Sequence, residues 1–438
     1  MYLLYSILLT LGVIVMLPRF VVDAFRHGKY VTGLRQRLGQ VPVLSDVSCP
    51  VIWLHCVSVG ETQAARTLFQ SLKERFPHHS LVVSTTTLTG QRVARELFKE
   101  DALLVFYFPF DWAWTVRRSI DAIQPALVII METELWPNFL RESNRRNIPV
   151  AIANGRLSER SFRRFRFITG FTSRMVSDIA LALMQTEADA QRMRTLGMAD
   201  ERVRVTGNLK FDAGTSFSEQ TLSNEFRHRF GISNKRPLIV AASTHEPEER
   251  IALDAVKLMS CHFGEQSPRV LIAPRHPERF SQIATLLQAS GLTWSRRSAA
   301  PESTDATCDA ILLDSIGELR AAYRIADIVF VGGSLAETGG HNVLEPIEAG
   351  KCVVTGADTH NFSEIIQTFV VANAIVQLPP ISLEEAPHRL AKALTELLEN
   401  DDERQALIGR ATSLLEQNRG ATGRTINAIE RLLANASG

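Results

Sequence analysis

The sequence predicts an α/β protein of two doubly wound units, each a parallel sheet covered by helices on both faces. Three observations carry that expectation. The chain has 438 residues, more than one hydrophobic core usually serves, so two domains of roughly 200 residues each are expected. From residue 51 onward short apolar runs alternate with helical stretches, and near-continuous apolar runs mark strands buried on both faces of a parallel sheet. The runs also fall into two series, separated by a polar stretch.

Taken in order, Tyr2 to Leu17 (YLLYSILLTLGVIVML) carries no charge. As a helix it is about 24 Å long, slightly short of a ~30 Å hydrocarbon layer. Residues 1–18 read as a membrane anchor that spans a locally thinned bilayer or lies within one leaflet. A cleaved signal peptide and a buried helix are the rival readings, but no Lys or Arg precedes the run and no small-residue cleavage site follows it. Arg19, Arg26, Lys29, Arg35 and Arg37 come afterwards, which by the positive-inside rule leaves the body of the chain in the cytoplasm. The first strand series is VIWLHCVS (51–58), LVVSTTT (81–87), LLVFYF (103–108), ALVIIM (126–131), VAIAN (150–154) and IALALMQ (179–185). Residues 19–210 thus form one domain and the polar stretch 211–235 a linker. PLIVAAST (237–244), RVLIAPR (269–275), AILLDS (310–315), DIVFVGG (327–333) and KCVVTG (351–356) supply the second domain, 236–420. Long helices are expected at 383–399 and 402–435, with 421–438 closing the chain.

Composition excludes several classes. At 45% hydrophobic and 22% charged the chain is ordinary globular protein, so disorder is confined to the ends. A net charge of +1 exerts no global pull toward nucleic acid, which leaves local clusters to be read. Cys49, Cys56, Cys261, Cys308 and Cys352 are odd in number and lack metal-binding spacing, which argues against a disulfide framework and zinc and fits a reducing compartment.

Open α/β sheets bind ligands at the carboxyl ends of their strands, and the chemistry-bearing motifs sit there. His55-Cys56-Val57-Ser58-Val59-Gly60-Glu61 ends the first strand. Gly60 is expected to allow a tight turn that carries Glu61 to the inter-domain face; a carboxylate there also simply suits a helix dipole. Met131-Glu132-Thr133-Glu134-Leu135-Trp136-Pro137-Asn138 ends the fourth strand, where two carboxylates are costly unless paired or used. An E-x-E metal site competes with that reading, but no D-x-D occurs. In the second domain Arg275-His276-Pro277-Glu278-Arg279 follows a strand, and Arg275 is suited to bidentate phosphate binding. Gly332-Gly333-Ser334 ends another strand. Gly339-Gly340-His341-Asn342-Val343-Leu344-Glu345-Pro346 leads into a helix, with Asn342 and Glu345 spaced like a capping box. That helix start is an anion site on one reading and a plain capped loop on the other. No Walker loop or G-x-G-x-x-G follows the first strand, so ATP hydrolysis and dinucleotide redox lack support. Arg141, Arg145, Arg146, Arg160, Arg163, Arg164 and Arg166 cluster with Phe162, Phe165 and Phe167. The cluster reads as a surface for anionic lipid or a phosphorylated acceptor, as a solvated face, or as a single-strand nucleic-acid site.

Together HCVSVGE (55–61), METELWPN (131–138), ANGRLS (153–158), TGNLKFD (206–212), STHEPEE (243–249), APRHPER (273–279) and GGHNVLEP (339–346) resemble the bacterial Kdo (3-deoxy-manno-octulosonic acid) transferases. Each motif is weak alone, and seven in order along the whole chain are specific. The resemblance implies two Rossmann-like domains facing a central cleft (GT-B type), an N-terminal acceptor domain and a C-terminal donor domain. It further implies the donor CMP-Kdo, a tetra-acylated, bis-phosphorylated lipid A precursor as acceptor, contact with inner-membrane lipids and the cytoplasmic side of that membrane. No metal, cofactor or nucleic-acid partner is implied. Glu61 matches the general base and Glu132 and Lys210 the transition-state stabilisers. CMP contacts map to Pro274 and Arg275, to Ile316, Gly317 and Glu318, and to Asn342, Val343, Leu344 and Glu345. Ile316 stands where relatives are expected to carry Met, a change that a backbone contact survives. The alternative is another enzyme of the same fold acting on a UDP-sugar, as transferase or epimerase.

Overall fold

The computed structural model describes residues 1–27, 32–44, 49–212, 218–232 and 236–436. Lys29 and Lys235, and the side chains of Arg19 and Arg26, lie outside the described residues. The chain divides into two compact units, Met1–Ala213 with Asn418–Gly438, and Gly214–Gln417.

The first unit holds a seven-stranded sheet of β1 (Val51–Cys56), β2 (Ser80–Thr85), β3 (Leu104–Tyr107), β4 (Pro125–Met131), β5 (Val150–Gly155), β6 (Leu181–Met184) and β7 (Val203–Val205). All pairs are parallel, in the order β3-β2-β1-β4-β5-β6-β7. Along β1 the side chains alternate between two cores, as strand periodicity requires. Val51 and Trp53 join Phe106, Phe108 and Phe139 on one face, while Ile52, Leu54 and Cys56 join Phe69 and Phe98 on the other. Each such fully buried side chain contributes about 1.5–3 kcal/mol.

That second core is completed from the far end of the chain. The expected helix 402–435 is in fact two, Asp401–Asn418 and Ala421–Ala436. Gly420 between them takes φ +83°. The Asp212 carboxylate accepts from the backbone amides of Gly420 at 2.7 Å and Thr422 at 2.5 Å. The last helix thereby packs Ala421, Ile426 and Ile429 into the first unit's core.

The second unit repeats the architecture with β8 (Leu238–Thr244), β9 (Arg269–Pro274), β10 (Trp294–Arg296), β11 (Ala310–Leu312), β12 (Ile328–Val331), β13 (Cys352–Thr355) and β14 (Val376–Gln377). They are parallel, in the order β10-β11-β9-β8-β12-β13-β14. The expected linker 211–235 contains the helix Ser218–Arg229, which belongs to this unit. Ser223 Oγ donates to Ala321 O at 3.1 Å, Phe226 and Phe230 are fully buried, and Arg229 pairs with Asp305 at 2.8 Å. Its polarity comes from the opposite face, which is why no buried element was legible there. β7, β10 and β14, also unforeseen, are edge strands of two or three residues, too short to leave an apolar run.

The N-terminal helix runs Tyr2–His27 and is bonded to the first unit rather than standing free of it. Tyr2 donates to Asp178 at 3.0 Å, Asn138 Nδ2 to Ser6 at 3.1 Å, and Trp112 Nε1 to Thr10 at 3.0 Å. Tyr5 bonds to the buried Asp111. Leu3, Leu4, Ile7, Leu8, Leu11, Ile14 and Val15 remain exposed on its outward side. Among the described residues no helix is long and apolar enough to cross a membrane.

Candidate active site

In each sheet the strand order reverses beside the first strand, between β1 and β4 in one unit and between β8 and β12 in the other. Ligands of open α/β sheets bind at such switch points, and the motif residues converge on both.

At the first, Glu61 lies in the opening turn of the helix Val59–Arg75 and is 6% exposed. It accepts from Val57 N at 2.7 Å and Ser58 Oγ at 2.9 Å. Burial, opposed by these two bonds and reinforced by the charge of Glu132, lifts its pKa to about 7. Such a group is half-ionised at neutral pH and suited to taking a proton. Gly60 does not make the expected tight turn. Its φ is not left-handed, it lies within the helix, and a Cβ there meets nothing within 4 Å. Glu132 follows β4 with φ +56°, a strained region for a non-glycine residue. Glu134 beside it is held above the usual carboxylate range by burial and the Glu132 charge. Lys210 is half-buried in the turn Leu209–Asp212, which packs on the Glu61 helix. Asn154 Oδ1 fixes that turn by accepting from Leu209 N at 2.9 Å. The structure therefore gathers the Glu61, Glu132 and Lys210 segments at one end of one sheet.

At the second, Pro274 ends β9 and Arg275 follows it exposed, its amide bonded to Thr244 O at 3.0 Å. Ile316 is 81% exposed and Gly317 has φ +85°. Glu318 is not free. Arg297 holds it bidentately at 2.9 and 3.0 Å, and Ser315 also donates to it. Val343 and Leu344 are buried. The expected capping box is absent, because the helix begins at Leu344 and runs only to Glu348. Asn342 Oδ1 instead accepts from Leu344 N at 3.0 Å, and Asn342 Nδ2 reaches Glu345 at 3.5 Å. Glu345 is raised by burial, with Arg320 at 3.8 Å pulling the other way.

The Gly332-Gly333-Ser334 loop is also taken internally. Glu248, fully buried, accepts from Gly333 N at 2.7 Å, Ser334 N at 2.9 Å, Leu335 N at 2.8 Å and its own loop's His245 N at 2.9 Å. A carboxylate of the chain thus fills the amide nest that a glycine-rich loop commonly offers to phosphate.

Comparison with known proteins identifies the family. Residues 32–213 match the family described as 3-deoxy-D-manno-octulosonic-acid transferase, and residues 306–413 match glycosyl transferases group 1. The 3-deoxy-D-manno-octulosonic acid transferase of Haemophilus influenzae is 36% identical over 91% of this chain and 92% of its own length. The chain belongs to the Kdo transferase family. The enzyme of the same description from Bordetella pertussis is 33% identical over 86% of each chain. In fold, this Kdo transferase is similar to UDP-GlcNAc 2-epimerase from Neisseria meningitidis, with a TM-score of 0.57 at 12% identity over 87% of this chain and 100% of that one. It is a glycosyltransferase with two parallel α/β sheets.

Sequence reasoning left STHEPEE without a role, and the structure supplies one for Glu248, Glu249 and His245. Glu248 clamps the β12 loop. Glu249 pairs with Arg279 at 2.7 Å and accepts from Thr244 Oγ1 at 3.0 Å. His245 faces His341, their Nε2 atoms 2.9 Å apart. Paired glutamates after an apolar strand were the available signal, since a buried carboxylate needs several donors. The arginine cluster does not act as one surface: Arg141 lies over the Tyr2 ring at 4.2 Å and Arg166 over Phe162 at 5.7 Å. Arg145 and Arg146 each reach Glu142 at 3.0 Å and are structural. Arg160, Arg163 and Arg164 line an open groove of about 460 Å³ with Glu159 and Phe167, and Phe167 is 92% exposed.

Proposed function

We propose that this Kdo transferase moves Kdo from CMP-Kdo to a phosphorylated lipid A precursor at the inner membrane, with Glu61 as general base and inversion at the anomeric carbon. The acceptor hydroxyl oxygen forms a bond to that carbon and its proton passes to Glu61. The bond from the anomeric carbon to the phosphate oxygen breaks, and its electron pair leaves with CMP. General-base assistance of this kind is worth about 10²- to 10⁴-fold. The single observation that carries the reading is the Glu61 carboxylate, buried at the β1/β4 switch point with a pKa raised to about 7. Glu132 and Lys210 stabilise the developing charge. Pro274, Arg275, the 316–318 loop and Asn342 to Glu345 hold the nucleotide through fixed donors.

Membrane contact is supported by the exposed apolar side of the N-terminal helix. A helix bonded to the protein along one side and apolar along the other suits burial in the interface plane better than a crossing. The groove of Arg160, Arg163 and Arg164 beside the exposed Phe167 matches an anionic lipid headgroup. The test is transfer of radiolabelled Kdo from CMP-Kdo to the lipid precursor in mixed micelles, resolved by product size. Labelled lipid should form with CMP-Kdo and not with UDP-sugars. Transfer that proceeds equally to an unacylated, unphosphorylated disaccharide would sink the acceptor assignment.

A further inference from the structure

Three histidines of the second unit have no part in the chemistry above. His245 follows β8, His276 follows β9, and His341 lies in the loop after β12. The His245 and His341 rings are nearly parallel, at 8°, with Nε2 facing Nε2 at 2.9 Å. The His276 ring stands edge-on to His245 at 5.1 Å between centroids. Gly333, at φ +70°, makes room for the pair, since a Cβ there would lie 2.8 Å from His341 Cδ2. Facing Nε2 atoms cannot both carry a hydrogen when both rings are neutral, so one donates and the other accepts. A further proton makes the pair a shared imidazolium.

The surroundings decide when that happens. Arg275, Arg279 and His276 face the pair, and Glu249 is the carboxylate that opposes them. Arg279 and Glu249 neutralise each other, whereas the Arg275 guanidinium makes no ion pair with a described residue. Burial first, then the neighbouring imidazoles and arginines, hold His245 below the usual imidazole range and His341 at about 4. At neutral pH the resting pair is therefore neutral, beside the Arg275 and Arg279 guanidinium groups. An entering dianion reverses the balance, because it makes a second positive charge favourable where it was repelled.

We propose that the His245–His341 pair, with Arg275, is a proton-linked subsite for the phosphate of CMP, which gains its second charge when the bond to Kdo breaks and is held together with one proton. The proposal rests on the reading of this unit as the CMP-binding one. The complex holds more protons than the free protein, so affinity for CMP rises as pH falls. Unbound CMP at pH 7.5 is already mostly dianionic, its second pKa being about 6, so uptake there belongs to the protein.

The experiment is calorimetry of CMP binding to the full chain at pH 7.5 in two buffers of different ionisation enthalpy. Uptake of roughly half to one proton is expected for the unaltered protein, with affinity rising between pH 8 and 6.5. His341→Asn and His245→Asn should each abolish the uptake and weaken CMP about tenfold or more, while cytidine, lacking phosphate, should bind as before. Retained cytidine binding shows that the variants fold, and His341→Gln provides a second probe. CMP binding with no buffer dependence, or uptake that persists in both asparagine variants, overturns the subsite. Uptake with free Kdo but not with CMP overturns the phosphate assignment in favour of the sugar carboxylate. Failure of the unaltered protein to bind CMP at all would remove the donor reading itself, and shows as loss of the titration rather than of its buffer dependence.

Discussion

Glu61 and Glu248 occupy the same place in two versions of one fold, and they have opposite fates. Each lies in the opening turn of the helix that follows the first strand of its sheet, beside the strand at which the order reverses. Glu248 meets the Gly332-Gly333-Ser334 loop and is consumed by it, accepting three amides from that loop and one from its own. Glu61 meets Glu132 and Glu134 instead, keeps only the two donors of its own loop, and is pushed up to about 7. The neighbouring strand's loop therefore decides whether a buried carboxylate becomes a structural clamp or a reactive group. Burial raises both carboxylates, but four amides oppose the rise at Glu248, whereas at Glu61 two donors oppose it and the Glu132 charge adds to it.

The largest effect should come from breaking the clamp. Glu248→Ala leaves four amides, two of them buried, without an acceptor, and the second unit should lose about 4 kcal/mol or more of stability in urea unfolding. A loss below about 1 kcal/mol, the worth of one ordinary hydrogen bond, would mean that the loop finds other acceptors and the contrast is false.

Glu61→Gln should lower transfer at saturating substrates by about two orders of magnitude or more without loosening the fold. Its folded pKa is raised above the unfolded value, so the stability tied to its protonated form is present below about 4.5 and lost as pH rises through about 7. The glutamine variant, which cannot ionise, should therefore be the more stable protein at pH 8, by roughly 2–3 kcal/mol. In the unaltered enzyme the rate should climb with pH through about 7 and level off. A flat profile over pH 6–8, with chemistry rate-limiting, would count against the base assignment.

Glu132→Gly tests what separates the two carboxylates. It relieves the left-handed backbone and should add about 1 kcal/mol of stability. It also removes a like charge, so the rising limb of the pH profile should move to lower pH while the maximal rate drops. An unmoved limb would show that burial alone raises Glu61. The smallest effect concerns a feature of the first unit, its docked N-terminal helix. Tyr5→Phe takes one donor from the buried Asp111 and should cost about 1 kcal/mol in the urea midpoint; no change would show the helix to be laid on loosely.

The sequence by itself determined the two α/β units, most of their strands and the ends at which the motifs cluster. An apolar run flanked by Gly, Pro or polar residues reports burial on both faces wherever it is read. It also singled out Glu132, because paired carboxylates at the close of such a run are costly, and Glu61 and Arg275 as charged residues at strand ends in motifs that resemble the family's. Tertiary structure decided the rest. Gly60 looked like a turn residue, yet its helical conformation depends on the Ser58–Glu61 contacts around it. The helix Ser218–Arg229 looked like a linker until Phe226 and Phe230 found their cavity. Helix 421–436 returns to the first unit through partners far away in sequence, among them Asp212, more than 200 residues distant, and Arg75. Glu248 and the Gly333 amide are 85 residues apart, and His245 and His341 are 96 apart. A local pattern records how each side chain meets solvent but not which distant donor, carboxylate or ring it will face, and that partner sets whether a buried charge is clamped, neutral or reactive.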